Sequence, residues 1–107
     1  MVEGIYDSIP QQYADAPVTD HGRGVIIPAF SDLHVHASQY TERGLGMDCL
    51  LYDWLNDYTF PQEAKFSDLD YAKDTYDAFV DELIANGTFH AAIFATIHRP
   101  ATNYLFE

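Results

Sequence analysis

The hydrophobic and polar positions of this chain change period several times along its length. Residues 2–6 (Val-Glu-Gly-Ile-Tyr) predict a short strand, and the polar stretch with Pro10, Gln11, Gln12, Asp15 and Pro17 predicts loop. Val25-Ile26-Ile27 is a brief β-branched run stopped by Pro28. In Phe30-Ser31-Asp32-Leu33-His34-Val35-His36 the alternation of a strand places Phe30, Asp32, His34 and His36 on one face. Leu33 and Val35 lie on the other. Gly44 and Gly46 break the chain. Leu50, Leu51, Trp54, Leu55 and Tyr58 are then spaced for one face of a short helix, which Pro61 ends or restarts.

The clearest helix spans 68–86. Ser67 is the expected N-cap, with Asp68 and Asp70 suited to the positive end of the dipole. Leu69, Ala72, Tyr76, Phe79, Val80, Leu83 and Ile84 form one apolar stripe, and Asp74, Asp77 and Asp81 face away from it. Asn86-Gly87 is a helix stop. Residues 91–97 (Ala-Ala-Ile-Phe-Ala-Thr-Ile) predict a strand apolar on both faces, as in a buried parallel sheet. Strand, crossover helix and strand make a βαβ unit of the α/β class. Two parallel strands need cover on both faces and both edges, so this unit predicts neighbours.

Composition sharpens that expectation. A chain of 107 residues is at most one small domain, and 48% hydrophobic content is globular rather than disordered. Eight Tyr, seven Phe and one Trp need large packing partners, a hint that part of the partner surface lies outside these residues. Five Lys plus Arg against 17 Asp plus Glu give a formal charge of -12, which argues against nucleic-acid or anionic-membrane partners and favours solubility. The single cysteine, Cys49, excludes an internal disulfide and suits a reducing cytoplasm. The first residues have neither the basic start nor the apolar centre of a signal peptide, and no apolar run reaches membrane-spanning length.

Candidate chemistry centres on His34 and His36. Two residues apart on a strand, their rings point the same way and can reach one metal ion at the strand's C-terminal end. The plain alternative is one packed and one solvated histidine. Catalytic zinc takes three protein ligands or more, plus water. His21 reads as a loop residue and His90 as the start of the second strand, at the wrong end. His98 reads as its finish, at the right end, though packing or capping suits it better. Cys49 reads as a buried apolar residue. Asp32 could orient a metal-bound ring or bond nearby backbone. Gln39 follows where the chain leaves the strand, and an amide there offers both donor and acceptor to a purine edge. Trp54 suits core packing better than a pocket wall.

Pro28-Ala29-Phe30-Ser31-Asp32-Leu33-His34-Val35-His36 resembles the Pro-Gly-Phe-x-Asp-x-His-x-His opening of the amidohydrolase superfamily barrel. His36-Ala37-Ser38-Gln39-Tyr40 is more specific and resembles the guanine deaminase form. So do Leu51-Tyr52-Asp53-Trp54-Leu55, Tyr58-Thr59-Phe60-Pro61, Asn86-Gly87-Thr88 and Phe94-Ala95-Thr96-Ile97-His98. The blocks keep the family order and spacing over about residues 2–106. Ala29 departs from the usual Gly, and Phe89-His90 from the usual small residues.

The resemblance implies the first βα units of a (β/α)8 TIM-like metal-dependent hydrolase barrel over 28–107. Residues 1–27 would then be the remnant of a small β domain and its linker. It implies hydrolytic deamination of guanine to xanthine and ammonia, with Zn2+ lowering the pKa of a water. By carry-over His34 and His36 are metal ligands and Gln39 contacts the guanine ring. The further ligands and the proton-shuttling Glu of this longer family fall beyond Glu107, so no catalytic residue is expected within these residues. Two other readings stand beside it. One is another amidohydrolase, such as a chlorohydrolase or cytosine deaminase relative. The other is an inactive truncated product acting as a folding or binding module. Exposed strand edges would also suit pairing with a second copy, a homo-oligomer.

Overall fold

The computed structural model describes residues 2–107. Strand β1 (Phe30–His36) is the one expected. It pairs in parallel with β2 (Thr88–Phe94), and helix α3 (Leu69–Ala85) crosses between them. This is the βαβ unit of the sequence reading. The register sets Ser31 opposite His90, Asp32 opposite Ala91 and His36 opposite Phe94, with an irregularity between Asp32 and Val35.

Strand β2 begins three residues before its expected start. The ladder opens where α3 stops: Gly87 takes φ +78°, and its carbonyl accepts from the Phe30 amide at 2.9 Å. Pairing with β1 fixes that start, and the strand-favouring Thr88 and Phe89 are compatible with it. Nor is β2 buried on both faces. Phe89 and Phe94 are more than half exposed, and Ile93 is the β2 residue that packs on the core. Burial of a parallel strand requires further strands and covering helices.

Helix α3 is capped by Asp68 rather than Ser67. The Asp68 carboxylate accepts from the amides of Asp70 and Tyr71, while the Ser67 hydroxyl donates to the Ala64 carbonyl in the preceding turn. Its inner face is Ala72, Thr75, Tyr76 and Phe79; Leu69 and Ile84, expected in the stripe, are substantially exposed. The core joins that face to Ala37, Phe66 and Ala101.

Residues 51–64 form one helical run, α1 (Leu51–Trp54), a π-helical turn (Leu55–Thr59) and α2 (Phe60–Ala64). Pro61 restarts the helix here, the second of the two outcomes its position allows. The π turn, in which the Phe60 amide bonds the Leu55 carbonyl, shifts the hydrogen-bond register ahead of a residue that has no N–H to give. Helix α4 (Arg99–Leu105) was not foreseen, although Pro100 in its first turn is a helix-start signal. Its Ala101 enters the core. Residues 2–27 form no strand, contrary to the expectation for 2–6, and the β-branched run at 25–27 pairs with nothing among the described residues. Without a pairing partner, β-branched composition alone does not make a ladder. Among the described residues no helix is long and apolar enough to cross a membrane.

Candidate active site

The end of β1 and the 3₁₀ turn that follows it (Ala37–Glu42) line a cleft of about 410 Å³. His34, His36, Gln39 and Trp54 all border it. That volume falls in the range of small-molecule sites.

The strand alternation puts the two histidines side by side. Their Nε2 atoms stand 3.2 Å apart. Two imidazoles bound to one tetrahedral zinc at ordinary Zn–N lengths have nitrogens about 3.3 Å apart. The donor set and its spacing therefore fit a shared metal ion. Phe94 completes the arrangement from β2, stacked on the His36 ring at 4.6 Å and 11° and tilted against His34 at 5.0 Å. A parallel register that sets His36 opposite Phe94 produces this contact. Among the described residues no group of three or more His, Cys, Asp or Glu could hold a metal ion.

Of the sequence candidates other than the histidine pair and Gln39, only Trp54 reaches the cleft. Asp32 accepts from the His34 amide at 3.1 Å, the backbone role rather than ring orientation. His90 sits exposed inside β2, and His21 in an exposed loop. His98 does not end β2; it is the N-cap position of α4 and lines a separate hollow with Phe60 and Glu63. Cys49 is half-buried, and burial, followed by Asp48, Asp57 and Asp53, pushes its thiol pKa up. Trp54 is half-buried, borders the cleft and donates from Nε1 to the Leu45 carbonyl at 3.0 Å.

Three charged residues of the cleft escaped the sequence reading. Glu42 is 4% exposed; one carboxylate oxygen accepts from the Thr59 hydroxyl at 3.0 Å, and Oε2 has no partner. Burial pushes its carboxyl pKa up, against a smaller lowering by Thr59 and Lys65. Arg43 and Glu82 form an ion pair at 2.7 Å. No periodicity marks a lone Glu after a histidine strand, and Arg43 and Glu82 are 39 positions apart.

No family model matches the chain. Curated relatives do. It is 44% identical over 90 residues to the guanine deaminase of Dictyostelium discoideum, covering 84% of this chain and 20% of that one. It is 44% identical over 81 residues to the human guanine deaminase, covering 76% and 18%. Among solved structures, the C. acetobutylicum guanine deaminase with guanine bound in its active site superposes with a TM-score of 0.89 at 50% identity, over 92% of this chain and 24% of that one. The E. coli guanine deaminase superposes with a TM-score of 0.68 at 38% identity, over 74% and 18%. The chain thus matches a segment of guanine deaminases and spans about a fifth of the length of the curated relatives. A chlorohydrolase or cytosine deaminase relative is not favoured by these matches.

Proposed function

We propose that this segment of a guanine deaminase supplies the first metal-binding strand and one wall of the substrate cleft of a zinc-dependent enzyme that converts guanine and water to xanthine and ammonia. The observation that carries the reading is the 3.2 Å approach of the His34 and His36 Nε2 atoms beside Gln39, in a chain 50% identical to an enzyme crystallised with guanine.

His34 and His36 would hold Zn2+ through Nε2, and the ion would supply the Lewis acidity that makes a water nucleophilic near neutral pH. Phe94 covers one side of the histidine rings and restrains their orientation. Gln39 offers its amide donor and acceptor to the purine edge, where a carbonyl and an N–H stand side by side. No carboxylate of these residues is assigned the proton transfer. The remaining ligands and the proton shuttle belong to the rest of a (β/α)8 barrel that residues 28–107 begin. Residues 1–27 are the remnant of a small β domain and linker in this reading. A cytoplasmic setting and pairing of copies are part of the same proposal.

The test is a Zn2+ titration of the chain followed by calorimetry and by the histidine ring signals. Binding is weak, and His34→Ala or His36→Ala weakens it by at least about tenfold. Zn2+ affinity untouched by both changes would sink the ligand assignment. Guanine turnover by the isolated chain is expected to stay at background; steady turnover lost in His34→Ala would mean that the chain completes its own site.

A further inference from the structure

The 3₁₀ turn that carries Gln39 has no side-chain cap at its N-terminal end. Short 3₁₀ segments have poor hydrogen-bond geometry and hold their shape only with outside support. Here four successive residues are each tied to another element. The Tyr40 hydroxyl donates to Glu82 Oε2 on α3 at 2.7 Å. Thr41 meets Gln62 and Tyr71. Glu42 accepts from Thr59 in the π turn. Arg43 donates from Nη1 to Glu82 Oε1 at 2.7 Å and from Nε to the Tyr40 carbonyl at 2.9 Å, with its guanidinium 4.0 Å above the Tyr40 ring. The Gln39 amide makes no hydrogen bond among the described residues and borders the cleft.

Among the described residues Glu82 is the one that ties two of these four. Each of its oxygens takes a different partner, and the two partners are themselves bonded to each other. An isolated surface ion pair is worth little, but a closed set of three fixes geometry because no member can rotate without breaking two contacts. The charges agree: hydrogen bonds from Arg43 and then Tyr40 hold the Glu82 carboxyl below its usual range, and the bond to Glu82 raises the Tyr40 hydroxyl.

We infer that Glu82 is a positioning residue, which through Tyr40 and Arg43 sets the turn so that Gln39 presents its amide to the substrate cleft. The inference rests on the reading of Gln39 as a purine contact. Glu82 acts through these two residues, which take both of its carboxylate oxygens.

Two measurements test it. In the first, amide hydrogen exchange is followed in the 107-residue chain. Glu82→Ala speeds exchange at residues 40–43 by about tenfold and leaves residues 72–79 of α3 unchanged, and Glu82→Asp restores part of the protection. Unchanged exchange at 40–43, equal acceleration throughout α3, or no protection at 40–43 in the unaltered chain would each overturn the inference. In the second, guanine kinetics are measured on the longer protein that the deaminase reading requires. There Glu82→Ala raises KM about tenfold with kcat within about threefold and zinc content unchanged. A fall in kcat at constant KM would overturn it. Absence of guanine turnover in the unaltered protein would sink the deaminase reading, while the exchange measurement still decides whether Glu82 holds the turn.

Discussion

Glu42 and Glu82 occupy the same cleft and respond to acid in opposite ways. Burial raises the Glu42 carboxyl above the unfolded value, and its Oε2 has no partner to offset lost hydration. A raised carboxyl contributes most to stability below the ordinary value of 4.5, and that contribution is lost as pH rises through the raised value. Glu42 therefore costs stability at neutral pH. Glu42→Gln is expected to raise the urea midpoint at pH 7 and to give no gain near pH 4; an equal or lower midpoint at pH 7 would count against an unpaired buried charge. Glu82 has a lowered carboxyl, so its contribution is present above 4.5 and is lost as acid takes the pH down through the folded value. Because it is exposed, that contribution is screened by salt.

Among the elements, α3 shows how a boundary is chosen between two adjacent cap residues. Ser67 and Asp68 both suit an N-cap, and the sequence pattern cannot rank them. The 3₁₀ turn Lys65–Ser67 decides, because it already engages the Ser67 hydroxyl and leaves Asp68 at the extended position, φ -82° and ψ 114°. Asp68→Ala should cost about 1 kcal/mol in denaturant unfolding, and Ser67→Ala less than about 0.5 kcal/mol. The reverse ranking would place the cap on Ser67. The helical run 51–64 carries a comparable lesson. Its apolar spacing is visible in Leu51, Trp54, Leu55 and Tyr58, yet the π turn follows from the missing N–H of Pro61, the eleventh residue of the run, not from the period of the side chains.

The whole molecule measures 62 × 32 × 18 Å with a radius of gyration of 20.3 Å. A compact chain of this length would have a radius near about 13 Å. Its two-stranded sheet leaves both outer edges without a ladder, and Leu33 is 78% exposed on the face opposite the histidines. Bare parallel edges beside apolar side chains invite pairing. Sedimentation of the isolated chain is expected to show concentration-dependent association, reduced by Leu33→Lys together with Phe89→Lys. A monomer at every concentration, with a cooperative melt, would instead mark a unit stable by itself.

What the sequence determined alone is local. Alternation over seven residues is enough to set His34 and His36 on one side of β1, because a strand has a period of two whatever lies beside it. The long apolar stripe and the Asn86-Gly87 stop are enough to place α3 and its C-terminal end, since helical spacing and a left-handed glycine are properties of the nearby chain. Placing Gln39 next to the histidines needed only its spacing. Tertiary structure decided the rest. The start of β2, the contact of Phe94 with both imidazoles and the burial of Glu42 against Thr59 depend on which distant residues the fold brings together. So does the tie from Glu82 to Tyr40 and Arg43, which spans some forty positions. Such contacts leave no period in the chain, because their partners are set by register and packing rather than by neighbouring residues.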